Sequence, residues 1–174
     1  DARRRAPRQR RADARRGRAA GTAGAALLGF VFYPQSPRYL APAAAHAVVG
    51  RLPAGVVTVG VFVNEPVAAV RRIAAAVGLT AVQLHGHEPP ALVRELHDYR
   101  CFKALALASA ADLARLDAYA AAEFVVVDTP AAEWGGSGRP GDWTLARQAA
   151  ARRPVLLAGG LTPDNVAPGV RQPR

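Results

Sequence analysis

Residues 124–129 read FVVVDT, a run of three valines followed by an aspartate. An apolar run of this kind is typical of a parallel strand that is buried on both faces. Asp128 then falls at the carboxyl end of the strand, the position where parallel α/β enzymes carry their reactive groups. We interpret Asp128 as a candidate catalytic acid or base, with a helix-capping or loop-ordering carboxylate as the alternative.

Similar apolar runs alternate with amphipathic segments on both sides of this stretch. Strand, helix and strand at this spacing predict a parallel α/β protein. The predicted strands are residues 26–32, 56–62, 81–85, 101–107, 124–128 and 154–159. The predicted helices are residues 42–50, 66–77, 88–98, 109–121 and 142–152.

The positions of the polar residues favour a (β/α) barrel over an open, doubly wound sheet. Asn64, His85, Asp128 and the pair Gly159-Gly160 each follow a different predicted strand. Barrel enzymes assemble their sites in this way, from the ends of many strands, whereas an open sheet concentrates its chemistry at one switch point.

Two further stretches carry candidate binding residues. YPQSPRYL (33–40) is a loop in which Arg38 is either an anchor for a carboxylate or phosphate, or a surface arginine. In AGGLTPDNV (158–166), Gly159 and Gly160 precede a predicted helix, so their backbone N–H groups could hold a phosphate or simply form a tight turn.

The stretch VQLHGHEPP (82–90) places Gln83 and His85 on the same side of one strand, because side chains alternate along a strand. We interpret both as substrate-binding candidates, with a structural role as the alternative for His85. His85 and His87 also resemble a metal pair, but the sequence offers no convincing third ligand, so we predict no metal site.

The charge of the chain is concentrated at its beginning. The 174 residues carry a net charge of +10, and residues 1–18 contribute nine arginines and two aspartates to it. The single cysteine, Cys101, excludes an intramolecular disulfide and is interpreted as an inert core thiol. No apolar run is long enough to span a membrane, and we expect a cytoplasmic protein.

Taken together, these stretches resemble the phosphoribosylanthranilate isomerase family, (β/α)8-barrel enzymes of tryptophan biosynthesis. The resemblance covers about residues 25–167 through LGFVFYPQSPRYL, VGVFVNEP, VQLHGHE, VVVDT, WGGSGRPGDW and PVLLAGGLTPDNV. It implies an Amadori aldose-to-ketose isomerisation of N-(5-phosphoribosyl)anthranilate with no metal or organic cofactor. Asp128 would be the general acid and Arg38 would hold the anthranilate carboxylate. Gln83 and His85 would lie at the barrel mouth, and Gly159 and Gly160 would form part of the phosphate cradle.

The two ends of the chain depart from this family pattern. Residues 1–24 form an Arg/Ala-rich head where the family has its first strand and a catalytic cysteine, and residues 168–174 form a short tail where it has its eighth strand. We therefore expect an incomplete barrel of about six parallel strands, whose exposed edges permit oligomerisation and whose isomerase activity is weak. A shifted reading frame in GC-rich DNA is our hypothesis for the head.

Two functions of other classes remain open at this point. Residues 1–18 could bind nucleic acid non-specifically, although no aromatic side chains are interleaved with the arginines. The barrel could also be a catalytically dead scaffold. Binding of product analogues, of DNA at two salt concentrations, or a defined oligomer would distinguish the three.

Overall fold

The structure is a computed structural model that describes residues 25–128, 143–159 and 161. The Arg/Ala-rich head, the short tail, residues 129–142 and Gly160 lie outside the described residues. No helix in the described part of the chain is both long and apolar enough to cross a membrane.

Strands and helices alternate through the described residues, which confirms the predicted parallel α/β class with about six strands. The strands are β1 (Leu27–Val31), β2 (Val57–Phe62), β3 (Ala81–Leu84), β4 (Arg100–Ala106), β5 (Phe124–Asp128) and β6 (Val155–Leu157). The helices are α1 (Pro42–Val49), α2 (Val67–Val77), α3 (Pro90–Glu95), α4 (Arg115–Ala118) and α5 (Trp143–Ala150), and the 3₁₀ helix Ala110–Ala114 leads into α4.

The chain divides into two compact units, and the first comprises the residues up to Gln83 together with Asp98–Arg100. In it β1 pairs with β2 in parallel register, from Leu27 opposite Val57 to Val31 opposite Val61, and β3 is the next strand after β2. Phe32 and Phe62 stack at 5.3 Å between ring centroids in its core.

Local sequence explains where the helices of this unit begin and end. Pro42 begins α1, where its fixed φ suits a first helical turn and its missing N–H costs nothing. Gly78 ends α2 with a φ of 79°, a left-handed conformation that glycine adopts without steric cost.

The second unit comprises Leu84–His97 and the chain from Cys101 onward. In it β4, β5 and β6 follow one another in the sheet and pair in parallel, with Ala106 opposite Asp128 and Val127 opposite Leu157. Its core contains fully buried side chains from β4, β5 and α4, namely Phe102, Leu105, Leu116 and Val125. Each parallel pairing is connected through a helix, as a βαβ unit requires.

Candidate functional site

The candidate site begins with two side chains at the carboxyl ends of β3 and β5. Asp128 is the last residue of β5, and His85 directly follows β3. The His85 Nε2 lies 3.3 Å from the Asp128 Oδ2. The two side chains keep 17% and 12% of their surface exposed, so both are mostly enclosed yet reachable by a small molecule. A carboxyl group in contact with an imidazole can hold, give up or accept a proton at this edge of the sheet.

The loop that carries His85 is held by a buried ion pair that sequence reasoning missed. Lys103 in β4 and Glu88 in the loop lie 2.9 Å apart, and each side chain is only 1% exposed. Burial lowers the pKa of Lys103, because desolvation of the ammonium outweighs the attraction of the Glu88 carboxylate. One signal was available in the sequence: Lys103 is the sole lysine of an arginine-rich chain, and it interrupts the apolar strand CFKALAL.

Cys101 lies at the start of β4, is 4% exposed, and has no disulfide partner. Burial, and next the nearby Glu88 carboxylate, raise the pKa of its thiol to about 12. The prediction of a core thiol is confirmed. At neutral pH this sulfur is protonated, so Cys101 does not serve as a base.

Arg38 and Gln83 belong to the first unit. The loop after β1 turns back on the strand end, because the Leu40 N–H donates to the Val31 carbonyl at 2.9 Å. Within the loop, the Arg38 N–H donates to the Ser36 Oγ at 3.2 Å, and the Arg38 side chain is exposed. Gln83 is half-buried in β3. The loop after β1 therefore carries an exposed arginine side chain at Arg38.

Gly159 follows β6 and has a φ of 80°, so the chain makes a tight left-handed bend at the place where a phosphate cradle was predicted. Its predicted partner, Gly160, lies outside the described residues.

His85 and His87 resemble a metal pair in the sequence. Across residues 25–128, 143–159 and 161, no group of three or more His, Cys, Asp or Glu side chains is placed to hold a metal ion. Of the predicted site residues, the structure brings His85 and Asp128 into contact within the second unit, whereas Arg38 and Gln83 are defined within the first.

Comparisons with known proteins point in one direction. The family described as "N-(5'phosphoribosyl)anthranilate (PRA) isomerase" matches residues 11–173, a range that begins before residue 25, where we expected the domain to start. The N-(5'-phosphoribosyl)anthranilate isomerase of Syntrophus aciditrophicus is 46% identical over 143 residues, which are 82% of this chain and 62% of that protein. The chain thus spans less than two thirds of the length of this relative.

Solved structures agree with the sequence match. The phosphoribosyl anthranilate isomerase of Thermus thermophilus superposes with a TM-score of 0.82 at 34% identity, over 89% of this chain and 76% of that one. A second isomerase structure, a complex with reduced 1-(o-carboxyphenylamino)-1-deoxyribulose 5-phosphate, gives 0.76 at 34% identity over 91% and 75%. The barrel-family fold is thereby confirmed, and the chain belongs to the N-(5'-phosphoribosyl)anthranilate isomerase family.

Proposed function

We propose that this chain binds N-(5-phosphoribosyl)anthranilate and carries the acid half of its Amadori isomerisation in tryptophan biosynthesis. The observation that carries this proposal is the 3.3 Å contact between His85 and Asp128 at strand ends of a chain in this family. A solved isomerase structure is a complex with a ligand made of a carboxyphenylamino group, a deoxyribulose and a phosphate. Each of these parts has a chemical counterpart among the candidate residues of this chain.

Asp128 is assigned the first proton transfer. A protonated carboxyl group gives its proton to the ribose ring oxygen while the C1–O bond breaks and the anthranilate nitrogen forms a C1=N double bond. The proton at C2 must then leave to give an enolamine, which becomes the ketose. His85 touches the Asp128 carboxyl, so we assign it the orientation of that group toward the ring oxygen.

The two anionic ends of the substrate match the two remaining groups. Arg38 carries a planar guanidinium that pairs with a carboxylate through two parallel hydrogen bonds, so we assign it the anthranilate carboxylate. We assign phosphate binding to the bend at Gly159, with Gly160 after it, because backbone N–H groups at such a turn can point at one anion. Gln83 is assigned a polar contact with the sugar.

The group that removes the C2 proton is not among these assignments. Cys101 is the only cysteine of the 174 residues, and its thiol is buried with a pKa of about 12. A proton transfer without a general base loses typically ~10²–10⁴-fold in rate. Because none of the residues assigned above removes the C2 proton, we propose that the 174 residues alone turn over slowly. The substrate is a small molecule, and we place the reaction in the cytoplasm. Non-specific nucleic-acid binding by residues 1–18 and association through sheet edges stay predictions.

The test is product formation by the purified 174-residue chain. The chain is incubated with N-(5-phosphoribosyl)anthranilate, and the ketose product is quantified by chromatography and mass spectrometry over hours. A reduced product analogue is titrated by calorimetry in parallel. We expect saturable analogue binding and product above the uncatalysed rate. Absence of both would overturn the proposal, and turnover at the rate of the Thermus enzyme would overturn the assignment of a slow C2 step.

A further inference from the structure

We propose that Lys103 and Glu88 are positioning residues: together they fix the backbone on both sides of His85 and so hold its imidazole against Asp128. The proposal rests on the proposed function for its consequence in catalysis. The contact between His85 and Asp128, which the proposal explains, does not depend on the identity of the substrate.

The first observation is how the donors of Lys103 are used. Its ammonium donates to the Leu84 carbonyl at 3.2 Å, to the Gly86 carbonyl at 2.6 Å and to the Glu88 Oε2 at 2.9 Å. An ammonium has three N–H donors, and this geometry uses all three. Two of the acceptors are the carbonyls of Leu84 and Gly86, the residues immediately before and after His85.

The carboxylate of Glu88 holds the same segment from the other side. The Gly86 N–H donates to both of its oxygens, at 3.0 Å and 2.9 Å. The Tyr119 hydroxyl donates to the Glu88 carbonyl at 2.8 Å, and the Tyr119 ring centroid lies 5.6 Å from the Lys103 ammonium. The peptide groups around His85 are therefore bound by charged and phenolic partners in a buried setting, where such bonds are strong.

The second observation is that Lys103 and Asp128 point to opposite faces of the sheet. Ala106 is paired with Asp128, and Lys103 with Val125. Side chains alternate along a strand, so Lys103 points to the face opposite that of Ala106 and Asp128. With a side chain that is 1% exposed, Lys103 is out of reach of a ligand at Asp128. It acts on the site through the loop backbone.

A buried ion pair adds little net stability, since the free-energy cost of desolvating the two charges can exceed the attraction between them. An apolar pair would hold the strand and helix layers together as well. It would not supply donors to the Leu84 and Gly86 carbonyls or an acceptor for the Gly86 N–H. The hydrogen-bonding groups of Lys103 and Glu88 thus match the backbone groups of the loop, and we infer that the pair orients His85.

The test uses Lys103→Met combined with Glu88→Gln, which removes both charges with side chains of similar size and leaves no unpaired buried charge. The matched control is Arg71→Met combined with Asp98→Asn, the same kind of change at an exposed ion pair of the first unit. The readout is carbethoxylation of histidines by diethyl pyrocarbonate, followed residue by residue with mass spectrometry, and His97 is the internal reference.

We expect the carbethoxylation rate of His85 to rise several-fold in Lys103→Met/Glu88→Gln and to reach the rate found in Asp128→Ala. The rate at His97 should not change, and the control variant should behave like the unaltered chain. Tyr119→Phe removes a single hydrogen bond to the loop and should raise the His85 rate in the same direction by less. If the double variant unfolds, Tyr119→Phe decides the question.

Isomerase kinetics supply the second readout. Displacing a catalytic group by about 1 Å costs up to ~10²-fold, so the product formation rate at saturating substrate should fall by about 10- to 100-fold while KM changes little. An unchanged His85 labelling rate in folded variants would overturn the positioning role. If the unaltered chain neither forms product nor binds the product analogue, the proposed function fails, and the labelling result still decides the role of Lys103 and Glu88.

Discussion

His85 and Asp128 come from the ends of separate strands and meet with 3.3 Å between Nε2 and Oδ2. An aspartate or a histidine at a strand end is not unusual alone. Asp128 has the alternative of capping a helix or ordering a loop, and His85 that of a structural role. Their contact at a partly exposed position joins a carboxyl group to an imidazole that can orient it.

Replacing the acid should slow the reaction and leave binding unchanged. We expect Asp128→Asn to lower product formation by ~10²–10⁴-fold, because the amide keeps the shape of the side chain and cannot donate an acidic proton. The affinity for a reduced product analogue should stay near that of the unaltered chain. Product is quantified by mass spectrometry, and Asp117→Asn, an exposed carboxylate in α4, is the control. Full activity in Asp128→Asn would reject the acid assignment.

Removing the imidazole should have a smaller effect of the same kind. A hydrogen bond to a charged group contributes about 1.5–3 kcal/mol, so His85→Asn should lower product formation by about 10- to 150-fold if it no longer orients Asp128. Steady-state assays should place this loss in kcat more than in KM. His97→Asn, an exposed histidine of the same unit, provides the comparison. Equal losses in both variants would mean that the contact has no special part in the reaction.

The anthranilate carboxylate should require the guanidinium of Arg38. We expect Arg38→Gln to weaken binding of a carboxylate-bearing product analogue by about 10- to 150-fold, the range for a lost charge-assisted hydrogen bond. An analogue without the carboxylate should bind both forms equally. Calorimetric titrations measure both affinities, and Arg51→Gln, an exposed arginine elsewhere in the first unit, is the control. A similar loss for both analogues would contradict the assignment.

The thiol of Cys101 should influence stability at high pH and leave the chemistry untouched. Its pKa is about 12 in the folded chain, against 9.0 for an unburied thiol. Between these values the unfolded chain has lost the proton and the folded chain retains it, so stability is complete below about pH 9 and falls as the pH rises. One such proton contributes up to about 1.4 kcal/mol per pH unit.

Urea unfolding of the unaltered chain and of Cys101→Ala from pH 7 to pH 11 measures this contribution. The difference in unfolding free energy between the two should be constant up to about pH 9 and should shrink above it. Product formation should be the same in both forms. A constant difference over the whole range would show that the thiol titrates alike in folded and unfolded chains.

Much of the fold could be predicted because buried parallel strands have a clear apolar signature. Residues 124–128 were predicted as a strand and form β5 with the same bounds, and Asp128 was singled out from its place after three valines. The contact between His85 and Asp128 could not be predicted, because spacing along the chain does not reveal which strand ends approach one another. The loop geometry behind His85 was missed for a related reason: Lys103 reads as part of an apolar strand, and its partners become evident only through packing.

Close packing in the first unit gives the last prediction, at Gly60 in β2. A Cβ at this position would lie 2.5 Å from the Leu79 Cδ1 and 2.7 Å from the Phe62 Cε2. Phe62 is completely buried and Leu79 nearly so, which leaves these side chains little freedom to move. Gly60→Ala should therefore destabilise the chain by about 1–3 kcal/mol, the usual cost of overpacking a core. Gly29→Ala in β1 is the matched control, since its Cβ would meet the Val61 Cγ2 at an ordinary 3.8 Å. Urea midpoints that fall equally in both variants would show that the loss of a strand glycine, and not the clash at Leu79 and Phe62, sets the cost.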